Sequence, residues 1–153
     1  MSFSQDVRQA LQNTILDKDQ SFSCLYGMLL YSRTFTPQRI CFQSESETVA
    51  ILFPKLMHTV FSFSPEAVTL ERGRGGLYSL SLQNEQQIAT ICNRYHIHLD
   101  DRQINLCNIV QNSMPAFFAG VFLTCGSIMD PNKSYHLEFV TPTATLCNDL
   151  CIF

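Results

Sequence analysis

At 153 residues the chain has room for one ordinary domain or two small halves. An apolar fraction of 46% with only 15% charged residues excludes a disordered segment and supplies ample material for a core. The net charge of −3 excludes a chain that is basic overall, as a free-standing tight DNA binder usually is.

Ser2 and Gln5 fit a capping box, so a first helix is expected from there to about Asn13. Asp17 to Gln20 is a polar link. A second helix is expected from about Ser21, because Phe22, Leu25, Tyr26 and Leu29 fall at i, i+3, i+4 and i+7. Thr34 to Thr36 turns at Pro37-Gln38 into Arg39 to Gln43, a hairpin with Ile40 and Phe42 on its inner face. Val49, Leu52, Phe53, Leu56 and Val60 return to helical spacing. Pro54 within that pattern predicts either a kink or a helix that starts there. Val68 and Leu70, then Tyr78, Leu80 and Leu82, alternate with polar residues on either side of Gly73-Arg74-Gly75-Gly76, which gives a second hairpin. Asn84 caps a further helix with Ile88, Ile91, Cys92 and Tyr95 on its buried face.

The order to this point is α-β-β-α-β-β-α. Residues 96–112 form a connector with a helical turn between Ile104 and Ile109. The pattern then restarts. Pro115 opens a helix that carries Phe117, Phe118, Val121 and Phe122, and Gly126 ends it. Strands around the turn Asp130-Pro131-Asn132-Lys133 follow, with Tyr135, Leu137 and Phe139 alternating with His136 and Glu138, and Leu146 and Leu150 mark a closing helix. The expected organisation is a leading helix and link over 1–19, a first unit over 20–95, the connector, and a second, incomplete unit over 113–153. Aligned on Gly27 and Gly120, the two long helices set Ser23, Gly27 and Tyr31 against Ala116, Gly120 and Thr124. This spacing admits two readings: helices packed with close backbones, or unrelated apolar helices that each hold a glycine.

The seven cysteines are an odd number without a Cys-x-x-Cys pair, and they read as reduced thiols packing as small hydrophobes in an intracellular protein. The start lacks the cationic and apolar stretches of a signal peptide, and no apolar run is long enough for a bilayer. A cytoplasmic chain with no membrane partner is expected.

The segment Phe118-Ala119-Gly120-Val121-Phe122-Leu123-Thr124-Cys125-Gly126 resembles the LAGLIDADG motif. The longer string, through Gly126-Ser127 and Asp130-Pro131 to Lys133-Ser134-Tyr135-His136-Leu137-Glu138, resembles the WhiA family, as does the opening Met1-Ser2-Phe3-Ser4 with Val7. The resemblance implies an α+β, homing-endonuclease-like fold of tandem αββαββα repeats, the second incomplete. It also implies a C-terminal helix-turn-helix beyond this chain, and a nucleoid-associated regulator of transcription in sporulation or cell division of Gram-positive bacteria.

In active LAGLIDADG nucleases an acidic residue at the end of each central helix holds divalent metal at the DNA backbone. The resemblance places Ser32 and Cys125 at those two positions, and neither replaces a carboxylate for Mg²⁺. A non-catalytic domain without metal or cofactor is therefore expected. His96 and His98 lack a third ligand at a recognisable spacing, and Cys41, Cys92 and Cys107 are equally poor ligand candidates.

The candidates for contact with DNA phosphates are Arg72 and Arg74 at the glycine-rich hairpin tip, with Arg33, Arg39 and Lys133 near the first hairpin of each unit. The outward strand positions Cys41, Gln43, His136 and Glu138 are only mildly polar. Two functions remain open. One is an accessory DNA surface of a regulator, weak in this fragment because the main contact belongs to the helix-turn-helix. The other is an interaction domain for a protein or small ligand, with a homodimer as one form of partner. A continuous basic stripe on the sheet would favour the first.

Overall fold

The computed structural model describes residues 3–134 and 136–152. The expected Ser2 cap and the inward position of Tyr135 lie outside them, as does Phe153. The elements run α1 (Phe3–Gln12), α2 (Lys18–Leu30), β1 (Thr34–Phe35), β2 (Ile40–Ser44), α3 (Glu47–Phe61), β3 (Val68–Arg72), β4 (Tyr78–Leu82) and α4 (Glu85–Tyr95). A connector with a short 3₁₀ turn at Leu106–Asn108 leads to α5 (Met114–Cys125), β5 (Gly126–Ile128), β6 (Leu137–Phe139) and α6 (Ala144–Ile152). The chain is thus an α+β fold, an αββαββα unit followed by αββα. The first unit builds a four-stranded antiparallel sheet in the order β1-β2-β4-β3, and β5 and β6 form a separate two-stranded sheet.

Local chemistry sets these boundaries. α2 starts three residues before the expected Ser21, because Asp17 and Gln20 form a reciprocal capping box. The Asp17 carboxylate accepts from Gln20 N–H at 2.7 Å and the Gln20 amide oxygen accepts from Asp17 N–H at 3.1 Å. Ser46 caps α3, which runs through Pro54 instead of beginning there. Pro54 therefore removes one backbone donor from the middle of a helix whose inner face, Val49, Leu52, Phe53, Leu56 and Met57, is buried. Asn84 caps α4 by accepting from Gln87 N–H at 3.0 Å. Gly126 ends α5 in extended backbone (φ −97°, ψ 154°) instead of the left-handed form a terminal glycine usually takes, so the helix passes into β5 without a loop.

The core lies between α2 and the elements around it. Every residue of α2 from Ser23 to Leu30 is buried, so this helix is wrapped on all sides. α5 crosses it at backbone contact. A Cβ on Gly27 would lie 2.5 Å from the Phe117 carbonyl oxygen and 3.0 Å from Val121 N, and one on Gly120 would overlap the Cys24 carbonyl. An aromatic chain surrounds this crossing: Phe22 on Tyr95 (4.5 Å between centroids), Tyr95 on Tyr26 (5.1 Å) and Tyr26 on Phe117 (5.6 Å). The connector is tied to α2 by its polar atoms. Asn105 N–H donates to the Tyr26 hydroxyl at 2.8 Å, Tyr26 donates to the Gln103 carbonyl at 3.2 Å, and Asn108 Nδ2 donates to the Tyr95 carbonyl at 2.6 Å. Ile40, Phe42, Leu80, Leu82 and Val68 line the helix-facing side of the first sheet. Two residues expected on inner faces are instead exposed, Leu70 at 49% and Leu137 at 58%, because each sits on an edge strand beyond the reach of the helices.

Because the neighbours at Gly27 and Gly120 are backbone, the structure has little freedom to yield there. Gly120→Leu is expected to destabilise the fold by about 3 kcal/mol or more, at or above the usual range for overpacking, and Gly27→Leu similarly. Urea denaturation of each variant measures this, and an unchanged midpoint in either rules out the close crossing.

Candidate functional site at the ends of the paired helices

The C-terminal ends of α2 and α5 lie side by side beneath the two sheets. Exposed carbonyls at a helix C-terminus carry partial negative charge and need donors. At the end of α2, the Met28 carbonyl accepts from Ser32 Oγ at 2.9 Å and from Thr124 Oγ1 at 3.4 Å. Arg102, from the connector, donates to the Leu30 and Ser32 carbonyls, both at 2.8 Å, with its guanidinium 5.4 Å from the Phe35 ring centre. At the end of α5, Arg8 from α1 donates to the Gly126 carbonyl at 2.9 Å and lies 5.7 Å from the Phe122 ring centre. Cys125 Sγ turns back onto the Val121 carbonyl at 3.4 Å. Each helix end is thus closed by a half-buried arginine that also covers an aromatic ring.

Ser32 is fully buried. Burial pushes the Cys125 thiol up to about 12, so it stays protonated and neutral through the physiological range. Desolvation lowers the pKa of Arg102, and it lowers that of Arg8 against the opposing pull of Glu45; both guanidinium groups remain cations. A hydroxyl, a neutral thiol and two guanidinium groups present no anionic oxygen to a divalent cation at these helix ends. Among the described residues no group of three or more His, Cys, Asp or Glu side chains converges as a metal site. His96 is the left-handed C-cap of α4, His98 is exposed, Cys41 lies on β2 beside Arg39, Cys92 is half-buried on α4 and Cys107 is exposed.

The five candidate cations, Arg33, Arg39, Arg72, Arg74 and Lys133, are all exposed, and the structure does not gather them. Arg33 lines a cleft with Arg8, Tyr31, Thr124 and Cys125, next to the helix ends. Arg39 reaches over the outward face of β2, its Nη2 3.6 Å from Cys41 Sγ. Arg72 ends β3 opposite Tyr78, with its guanidinium 5.4 Å from that ring centre, on the helix-facing side of the sheet. It borders a second hollow, between α1 and the β3–β4 hairpin, whose other walls include Gln9, Glu45 and Glu47. Arg74 stands at the hairpin tip and Lys133 in the β5–β6 turn, where its N–H donates to the Asp130 carbonyl at 2.9 Å. The outward face of the first sheet is built from the cross-strand rows Thr34–Cys41–Ser81–Thr69 and Gln43–Ser79–Glu71. Its regular strand positions hold one carboxylate and no cation. On the second sheet the His136 ring Nε2 lies 3.1 Å from the Glu138 carboxylate.

Arg8 and Arg102 were not singled out by sequence reasoning. Each is an isolated arginine whose carbonyl partners lie 118 residues (Arg8) or 70 and 72 residues (Arg102) away, so no local spacing betrays them. Arg102→Met, which keeps the apolar stem and removes the donors, is expected to cost about 2 kcal/mol of stability in thermal or chemical melts, the scale of hydrogen bonds from a charged group. Alkylation followed by mass spectrometry is expected to modify Cys107, Cys147 and Cys151 first, all exposed, with Cys24 and Cys125 untouched at neutral pH because burial pushes both thiols up to about 12.

Residues 114–153 match the family model of the WhiA LAGLIDADG-like domain. A probable cell division protein WhiA from Thermoanaerobacter pseudethanolicus is 30% identical over 92% of this chain and 50% of its own length. One from Clostridium botulinum is 25% identical over 98% of the chain and 53% of its own. The chain therefore spans about half the length of the curated relatives it matches. Among solved structures, full-length DUF199/WhiA from Thermatoga maritima superposes with a TM-score of 0.61 at 19% identity, covering 91% of this chain and 44% of that one. The N-terminal LAGLIDADG domain of DUF199/WhiA gives 0.59 at 18% identity, over 92% of this chain and 66% of its own. These two likenesses give the fold, that of a LAGLIDADG-like domain, and along nearly its whole length the chain is similar in sequence to WhiA proteins.

Proposed function

We propose that this chain is the non-catalytic, contact-making part of a WhiA-type cell-division protein. The observation that carries the reading is the chemistry at the paired helix ends. Where the fold's nucleases hold metal with two carboxylates, this chain has buried Ser32 and neutral Cys125, flanked by Arg8 and Arg102. Two fixed guanidinium groups would repel a divalent cation as well as fail to ligate it. A plasmid-nicking assay with Mg²⁺ or Mn²⁺ tests this. No cleavage is expected, and metal-dependent cleavage by the purified chain overturns the reading, whether or not a Ser32→Ala/Cys125→Ala variant retains it.

The kind of contact follows from the outward sheet face. Its strand positions carry Glu71 and no cation, which suits a protein surface better than a phosphate backbone. A second reading has one observation in its favour. Arg33 and Arg8 share a cleft in which Glu45 is the one carboxylate, so a nucleic-acid strand would find a net positive charge there. On that reading the chain is an accessory DNA surface of a transcriptional regulator in cell division or sporulation, with the principal contact made by a helix-turn-helix elsewhere in the protein. A salt titration of duplex binding separates the two. Weak affinity with no sequence preference that vanishes at physiological salt is expected, whereas tight, sequence-specific binding by this chain alone favours the second.

A further inference from the structure

Each unit is preceded by a leading segment: α1 before the first, and the connector before the second. Each leading segment carries one half-buried arginine, Arg8 or Arg102. Arg102 follows Arg8 by 94 residues, and Gly120 follows Gly27 by 93, so the two arginines hold equivalent places in the repeat to within one residue. That register becomes visible only once the role of each arginine is known.

Their hydrogen bonds go to the opposite unit. Arg8, ahead of the first unit, donates to the Gly126 carbonyl at 2.9 Å, where α5 of the second unit passes into β5. Arg102, ahead of the second unit, donates to the Leu30 and Ser32 carbonyls at the end of α2 in the first, both at 2.8 Å. Each guanidinium also covers a ring of the unit it reaches, Phe122 at 5.7 Å for Arg8 and Phe35 at 5.4 Å for Arg102. A further bond runs the same way from each segment. Ile128 N–H of β5 donates to Ser4 Oγ of α1 at 3.5 Å, and Asn105 N–H of the connector donates to the Tyr26 hydroxyl of α2 at 2.8 Å. Toward its own unit each segment is bonded at the helix that follows the first hairpin. Gln5 Nε2 donates to the Glu45 carbonyl just ahead of α3 at 3.4 Å, and Ile104 N–H donates to the Asp149 carboxylate on α6 at 2.9 Å. The two segments are therefore crossed arms. Carbonyls at a helix end carry partial negative charge, and a charged donor is the strongest partner they can be given. α1 has no buried residue, so polar bonds of this kind form a large part of its hold on the body.

We propose that Arg8 and Arg102 are a matched pair of positioning residues that fasten the two units reciprocally: the arm of each unit holds the central-helix end and adjoining strand of the other. α1 then belongs mechanically to the second unit and the connector to the first. This fastening is independent of what the outward sheet face contacts, and so of the function proposed for it.

Amide hydrogen exchange of the 153-residue chain, resolved residue by residue by NMR, tests the proposal. The probes are amides bonded at the held ends. In the second unit they are Gly126, bonded to the Phe122 carbonyl, and Val140, bonded to the Cys125 carbonyl. In the first they are Tyr31, bonded to the Gly27 carbonyl, and Ser32, bonded to the Leu29 carbonyl. Arg8→Met is expected to speed exchange at Gly126 and Val140 on the order of tenfold or more and to leave Tyr31 and Ser32 unchanged. Arg102→Met is expected to do the reverse. Arg8→Gln and Arg102→Gln, shorter and neutral but still polar, are expected to give the same crossed pattern and replace any methionine variant that does not fold. A uniform rise across the chain overturns the proposal, as does a rise confined to the arm's own unit or exchange unchanged at all four probes.

Discussion

Gly27 and Gly120 meet where two helices touch backbone to backbone, and the atoms an added Cβ would strike are the Phe117 carbonyl and the Cys24 carbonyl. Most of the molecule is arranged around that contact. It brings α2 and α5 close enough for Thr124 to donate to Met28, and it sets their C-terminal ends side by side beneath the sheets. It also makes α2 a helix without a solvent face, so the remaining sides must be supplied by α3, the first sheet and the connector. A mid-helix glycine costs about 0.5–1 kcal/mol relative to alanine, and here the cost is offset by dispersion along the whole crossing.

A helix buried all round forces its polar groups to find partners inside the protein. The tyrosines on α2 and α4 do this with their hydroxyls: Tyr26 bonds to the connector, Tyr95 to the Phe22 carbonyl and Tyr31 to the Leu146 carbonyl. The last of these links the crossing to α6 at the far end of the chain. The helix termini meet the same constraint with Arg8 and Arg102. The two guanidinium groups that satisfy these carbonyls also place fixed positive charge beside the paired helix ends.

The sequence disclosed the order of elements because the apolar residues keep helical or strand periodicity and the cap Asn84 is a local signal. Asp17 and Gln20 look like a polar link in the sequence, yet together they form the capping box of α2. The small-residue spacing left two readings open, and the geometry at Gly27 and Gly120 is that of a close crossing. What stayed hidden is non-local. Leu70 and Leu137 alternate as inward residues should, yet they are exposed, since alternation states which face a residue takes and not whether a helix lies under it. Arg72 was read as part of a hairpin tip, but it sits on the helix-facing side against Tyr78. Arg8 and Arg102 act on carbonyls far along the chain, where no spacing rule reaches.

The crossing also bears on how the chain is made. Met28 and Thr124, which bond across it, lie 96 residues apart. α2 leaves the ribosome early, and its glycine-bearing face has no partner until α5 follows. The first unit can pair its strands in the meantime, but it does so around a helix with one side bare. Closing so long a loop is entropically slow, and the interval is one in which an apolar helix attracts other surfaces. The same contact thus sets a long wait in the chain's synthesis, and places the second unit in the role of a folding partner delivered late.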